Sequence, residues 1–120
     1  MSDQRKEARK KLIKFTPVYK LKPQSLLGYL VDLTPGGAKV EGEKPMEVNQ
    51  QVTLMIEFPA DLPEVPLAPF TIAARVARCA PSDEGPTFFN LGFAFTDITP
   101  EQTMVIEAII ERYAFHHEPG

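Results

Sequence analysis

The sequence predicts an all-β fold with a C-terminal helix, in the form of a small six-stranded antiparallel β-barrel. Three observations predict it. Twelve prolines in 120 residues cut the chain into segments too short for a helical protein, about twice the usual ~5% share. Between the prolines, apolar residues mostly recur with the period of two that marks strands. One segment near the C-terminus switches to helical spacing. The length is that of one domain, and a hydrophobic share of 43% is enough for an ordinary core.

The elements follow in order. Residues 1–11 read as a flexible basic N-terminal arm, 12–98 as the barrel, 99–115 as the helix and 116–120 as a tail. In 13–21, Ile13, Phe15, Tyr19 and Leu21 fall on one face, with Lys14, Thr16 and Lys20 on the other. Pro17 lies on the apolar parity and marks an edge or a bulge. Leu27, Tyr29, Val31 and Leu33 alternate in the second strand. Residues 38–41 form a short third strand. Residues 51–58, 70–80 and 87–96 complete the set, each rich in β-formers or alternating.

The turns between strands have mechanisms. Thr34-Pro35-Gly36-Gly37 carries Pro where φ is fixed and Gly at the next position, which suits a type II turn. Ser82-Asp83-Glu84-Gly85-Pro86 reads as a polar hairpin loop. Four prolines in 59–69 make a stiff, extended connection, with a proline-motif docking site as the alternative reading. Thr99 is an N-cap, Pro100 suits the first helical position, and Gln102 completes a Thr-x-x-Gln capping box. Val105, Ile106, Ile109, Ile110 and Tyr113 then form an apolar stripe that should lie on the sheet or plug the barrel.

Charge is unevenly spread. The net charge is −3. Residues 1–22 hold eight basic side chains (Arg5, Lys6, Arg9, Lys10, Lys11, Lys14, Lys20, Lys22) against Asp3 and Glu7, a net +6. The other 98 residues hold five basic and fourteen acidic side chains, a net −9. Such asymmetry suggests either a basic arm that meets an anion, on an acidic body that repels DNA and RNA, or a solvated, self-repelling tail that aids solubility.

Several function classes find no support in the chain. No apolar run approaches the ~18–20 residues of a membrane span, and no apolar stretch follows the basic start, so a secretory signal is not expected. The lone Cys79 has no disulfide partner within the chain, which fits a reducing cytoplasm, and core packing is its default role. His116 and His117 are adjacent in the tail, without further ligands at metal spacing. Nucleotide-cradling loops and hydrolase motifs are absent from the sequence. The expectation is a binding protein without metal or cofactor, not an enzyme.

Two clusters carry the binding chemistry. Arg5 and Arg9 are four apart, on one face if helical. Each offers a planar fork for phosphate, and a match to the acceptor edge of guanine. The second cluster is Asp32-Leu33-Thr34-Pro35-Gly36-Gly37. A carboxylate at Asp32 can accept from the N1–H and N2–H of a guanine. Thr34 adds a hydroxyl on the same side in strand parity, and Gly37 permits close backbone approach. Asp and Thr also close turns by bonding to the backbone, the plainer reading of this cluster.

Taken together, RxxxR followed some two dozen residues later by [Asp/Asn]-x-Ser-x-x-Gly is the pattern of the PilZ domain, a bacterial receptor module for cyclic di-GMP. The chain resembles that family over nearly its whole length. Residues 28–38 (GYLVDLTPGGA) look like its second strand and turn. Leu91-Gly92-Phe93-Ala94-Phe95 resembles its Leu-Gly-aliphatic-x-Phe segment. The resemblance implies a six-stranded antiparallel barrel, in agreement with the strand count. It also implies that Arg5 and Arg9 contact phosphates and guanine faces, that Asp32 and Thr34 bond a guanine edge or support the site, and that Gly37 shapes the turn beneath. Thr34 departs from the family's usual Ser. Gln4 stands where many members carry a further basic residue. Lys10 and Gln4 are auxiliary candidates.

The function so implied is a bacterial cytoplasmic cyclic di-GMP receptor, a monomer or weak homodimer. Its arm changes conformation on binding and signals to a partner protein. Two alternatives stand beside it. One is a PilZ-like protein-interaction adaptor for motility or pilus machinery that does not bind the nucleotide. The other is a barrel for single-stranded nucleic acid, which would need exposed aromatics on a basic face.

Overall fold

The computed structural model describes residues 11–13, 16–58, 69–83, 85 and 87–115. The order is β1 (Lys11–Ile13), β2 (Pro17–Lys20), β3 (Ser25–Thr34), β4 (Gly37–Gly42), β5 (Gln51–Ile56), β6 (Phe70–Pro81), β7 (Phe89–Phe95), α1 (Pro100–Arg112) and β8 (Tyr113–Phe115). Six strands close into an antiparallel barrel in the order β2-β3-β4-β7-β6-β5, with β5 pairing back onto β2. Closure leaves the barrel without a free edge strand. The predicted six-stranded barrel with a C-terminal helix is therefore the observed fold.

Alternation builds the interior. Ile72, Ala74 and Val76 point inward from β6, Ala38 and Val40 from β4, Leu54 and Ile56 from β5, and Leu91 and Phe93 from β7. Phe58 and Phe70 meet edge to face, with ring centroids 5.2 Å apart, a preferred aromatic geometry. Cys79 is half-buried and packs against this core.

Two strand predictions need correction. The stretch 13–21 is not one strand. Ile13 belongs to β1, which pairs in parallel with β8 outside the barrel, and only Pro17–Lys20 joins the wall. Parity cannot run through such a break. Val18 is the fully buried residue of β2, and Tyr19 is only half-buried. In β3 the inward residues are Leu30 and Leu33, three apart, and Tyr29 is 41% exposed. A bulge between Leu30 and Asp32 causes this, because it breaks the period of two.

The helix starts as predicted. The Gln102 N–H donates to Thr99 Oγ1 (3.1 Å) and the Thr99 N–H to Gln102 Oε1 (3.0 Å), the reciprocal bonds of a capping box. The Gln102 side-chain amide also donates to the Thr71 carbonyl (2.6 Å), pinning the first turn to β6. Ile106 and Ile109 are fully buried in the core, with Val105 and Ile110 packed beside them. The helix ends at Arg112, before the expected residue 115. Tyr113–Phe115 instead pairs with Lys11–Ile13, satisfying backbone groups that a helix end would leave open. Of the predicted 59–69 connection, residues 59–68 lie outside the described residues.

Candidate functional site

The β3–β4 hairpin carries the Asp32–Gly37 cluster. Thr34 pairs with Gly37 across a two-residue turn of Pro35 and Gly36. Gly36 does not take the positive φ that a type II turn demands. Proline serves a type I turn equally well at its position, and the Thr34 hydroxyl accepts the Gly36 N–H at 3.3 Å. That hydroxyl lies 3.4 Å from the Gly37 carbonyl, to which it donates. The Gly36 carbonyl accepts the Phe95 N–H at 2.9 Å, which ties the turn to β7.

Gly37 is required by close approach. A Cβ there would run into the Phe93 carbonyl oxygen of β7, well inside contact distance. Asp32 accepts the Leu33 N–H at 2.9 Å through Oδ1. A carboxylate has acceptor sites on both oxygens, so one such bond leaves capacity for a ligand.

The barrel's pairing register sets what lies beside this cluster. Asp32 pairs with Lys39, Lys39 with Gly92, and Gly92 with Arg78. These four residues form one transverse row on the outer wall. The next row is Thr34, Gly37, Ala94 and Arg75. The two rows enclose an open hollow of about 310 Å³, lined in part by Asp32, Thr34, Gly37, Lys39, Arg78 and Gly92. Arg75 stands at the end of the second row and donates to Asn49 Oδ1 at 3.2 Å.

Of the predicted site residues, Asp32, Thr34 and Gly37 are thus brought together. Arg5 and Arg9 lie outside the described residues, as do Lys10, Gln4, His116 and His117. Lys39, Gly92 and Arg78 are additions. Lys39 was readable from the alternation of Ala38 and Val40. Arg78 was not, because alternation groups it with Ile72, Ala74 and Val76 on the core side. A bulge between Val76 and Arg78 turns it outward.

The arrangement can hold a small anion with a hydrogen-bonding edge. It presents acceptors at Asp32 and Thr34, cations at Lys39 and Arg78, and a glycine floor between the cations. Among the described residues, no group of His, Cys, Asp and Glu could hold a metal ion. Also among them, no helix is long and apolar enough to cross a membrane.

Comparisons with known proteins agree with the geometry. A solved structure of the Bacillus subtilis inhibitor of motility, MotI/DgrA, is similar in fold, with a TM-score of 0.62 at 15% identity. The match covers 82% of this chain and 46% of that one, so the chain spans about half of its length. No curated protein matches the sequence. Residues 3–116 match the PilZ domain. PilZ domains are binding and adaptor modules, not enzymes, and as a family they take cyclic di-GMP as ligand. With nearly the whole chain inside that match and the barrel closed as the family's is, this chain belongs to the PilZ domain family.

Proposed function

We propose that this chain is a receptor for cyclic di-GMP that passes the signal to a partner protein. In this reading the dianionic ligand docks on the outer wall over the Asp32–Gly37 hollow. Asp32 and Thr34 bond a guanine edge, and Arg5 and Arg9 close over the ligand from the arm. Lys10 and Gln4 stand beside them in sequence as auxiliary contacts. The observation that carries the reading is that Asp32, Thr34 and Gly37 line one hollow with two cations, on a body whose net charge is −9. An anion site on an acidic body is hard to explain by solubility alone.

The pairing of β1 with β8 supports a route for the output. Lys11, two residues past Arg9, pairs with Tyr113, the first residue past α1. Ligand that orders the arm would therefore bear on the backbone leading out of the helix, a segment-ordering switch. A surface on or near α1 then reports the bound state to a partner, in the bacterial cytoplasm and from a monomer or weak homodimer. The similar structure is of an inhibitor of motility, which supports motility as the process served.

Calorimetric titration of the purified chain with cyclic di-GMP tests the reading, beside Arg9→Ala and Asp32→Ala. Charge-assisted hydrogen bonds contribute ~1.5–3 kcal/mol each. Each substitution should therefore weaken binding by roughly 10- to 100-fold. No heat from the wild-type chain rejects the receptor reading and leaves the adaptor. Equal heats from all three proteins reject the site.

A further inference from the structure

Only five basic residues lie beyond residue 22: Lys39, Lys44, Arg75, Arg78 and Arg112. Three of them stand in the two rows that frame the hollow. Arg75 is engaged with Asn49. Lys39 and Arg78 are exposed, and they flank Gly92 from its two neighbouring strands. Paired residues on adjacent strands are ~4.5–5.5 Å apart at Cα, so the two cations rise from points about 10 Å apart.

Between them the half-buried Gly92 adds no side chain of its own to the wall. The space that a Cβ would occupy there is bordered by the Cβ, Cγ and Cδ of Arg78, at 3.4 to 3.9 Å. The arginine stem therefore lies along the glycine, and the floor beside it is backbone. A planar base can approach such a floor more closely than it could approach a side chain.

We infer that Lys39 and Arg78, set on either side of the Gly92 floor, are the barrel's own phosphate clamp for the cyclic dinucleotide. They act independently of the arm. Arg78 pairs its fork with phosphate oxygens, Lys39 adds a point charge from the other side, and a base lies flat over Gly92. The ligand is then gripped by the wall before the arm reaches it. The acidic remainder of the body keeps longer polyanions away. This inference rests on the receptor reading above and adds three residues to its site.

The test is calorimetric titration of the full chain with cyclic di-GMP at two salt concentrations. The variants are Arg78→Ala, Lys39→Ala, Gly92→Ala and Lys44→Ala. Lys44 lines a different hollow, near Leu26 and Met46, and controls for loss of charge alone. Thermal melting confirms that each variant is folded. Gly92→Ala adds only ordinary van der Waals contact, so the fold should accept it. Arg78→Ala should weaken binding by roughly 10-fold or more, and Lys39→Ala by several-fold. Both should show a shallower salt dependence. Gly92→Ala should weaken binding with every charge retained, and Lys44→Ala should bind as the wild type does.

Wild-type affinity in both Arg78→Ala and Gly92→Ala, while Arg9→Ala still loses binding, overturns the clamp and leaves the receptor reading standing. Equal losses in Lys44→Ala and Arg78→Ala overturn it as well. No binding by the wild-type chain overturns both readings together.

Discussion

Asp32 and Arg78 occupy the two ends of one transverse row on the barrel wall, and a bulge precedes each of them. Asp32 is two residues past the buried Leu30, and Arg78 two past the buried Val76. In a regular strand each would share its neighbour's side and point into the core. The bulges at Val31 and Ala77 reverse both. Bulges tend to re-aim side chains near functional sites. Here two of them converge on one hollow from opposite strands.

Because the bulge at Ala77 decides which residue is inside, exchanging side chains across it should have opposite costs. Val76 is fully buried, so Val76→Arg buries an unpaired charge and should cost about 3–5 kcal/mol or abolish folding. Arg78→Leu, on the exposed side, should stay within about 0.5 kcal/mol of the wild type. Urea denaturation measures both. Similar costs for the two would place Arg78 in the core and remove the bulge.

The Pro35-Gly36-Gly37 turn separates two glycines with different tasks. A Cβ at Gly37 collides with the backbone of Phe93, whereas at Gly36 it meets open space, and Gly36 is not in the left-handed region. Gly37→Ala should therefore destabilise by about 1–3 kcal/mol or more, as overpacking does. Gly36→Ala should be neutral or should stabilise by about 0.4–1 kcal/mol, through loss of unfolded-state freedom. Thermal or chemical melts of the pair decide the matter. A tolerated Gly37→Ala would mean that β7 can yield, and that Gly37 is kept for ligand access instead.

These elements also show what sequence reasoning can reach. The six wall strands and the Thr99 cap are local features, carried by alternation within a strand or by residues three apart. They were legible for that reason. The alternation of Leu27, Tyr29, Val31 and Leu33 does not hold as one face of β3, because a bulge is a property of two paired strands. The same blindness hid Arg78. Asp32, Thr34 and Gly37 were legible from their spacing, since a tight turn fixes neighbours without help from distant chain. Lys39, Gly92 and Arg78 became neighbours only through the order β4-β7-β6, in which β7 pairs on one side with β6, next to it in sequence, and on the other with β4, distant from both.

The capping box should be measurable on its own. Thr99 and Gln102 exchange two bonds, and Gln102 adds a third to Thr71. Thr99→Ala should cost about 1 kcal/mol, within the usual range of ~0.5–2. Thr99→Ser should restore most of it, because the hydroxyl is what the Gln102 N–H requires. Gln102→Ala should cost at least as much as Thr99→Ala, since it also releases the helix from β6. Denaturation midpoints at constant slope are the readout. A neutral Gln102→Ala would show that the buried Ile106 and Ile109 hold the helix unaided.

Thr34 is where the turn and the proposed ligand site meet in one residue. Its Oγ1 accepts the Gly36 N–H, and Thr34 lines the same hollow as Asp32. Thr34→Ser keeps the oxygen and drops a methyl from an exposed position. Stability should stay within about 0.5 kcal/mol, and affinity for cyclic di-GMP should hold or rise as space opens over the turn. Thr34→Val keeps the shape and removes the oxygen. It should cost about 0.5–1.5 kcal/mol of stability for the lost turn bond. If the hydroxyl also bonds the ligand, Val should weaken binding by roughly 10-fold. Calorimetry of the Ser and Val chains, each beside its own melt, separates the two roles. A Val chain that is less stable but binds as the wild type does assigns Thr34 to the turn alone, and leaves guanine recognition to Asp32.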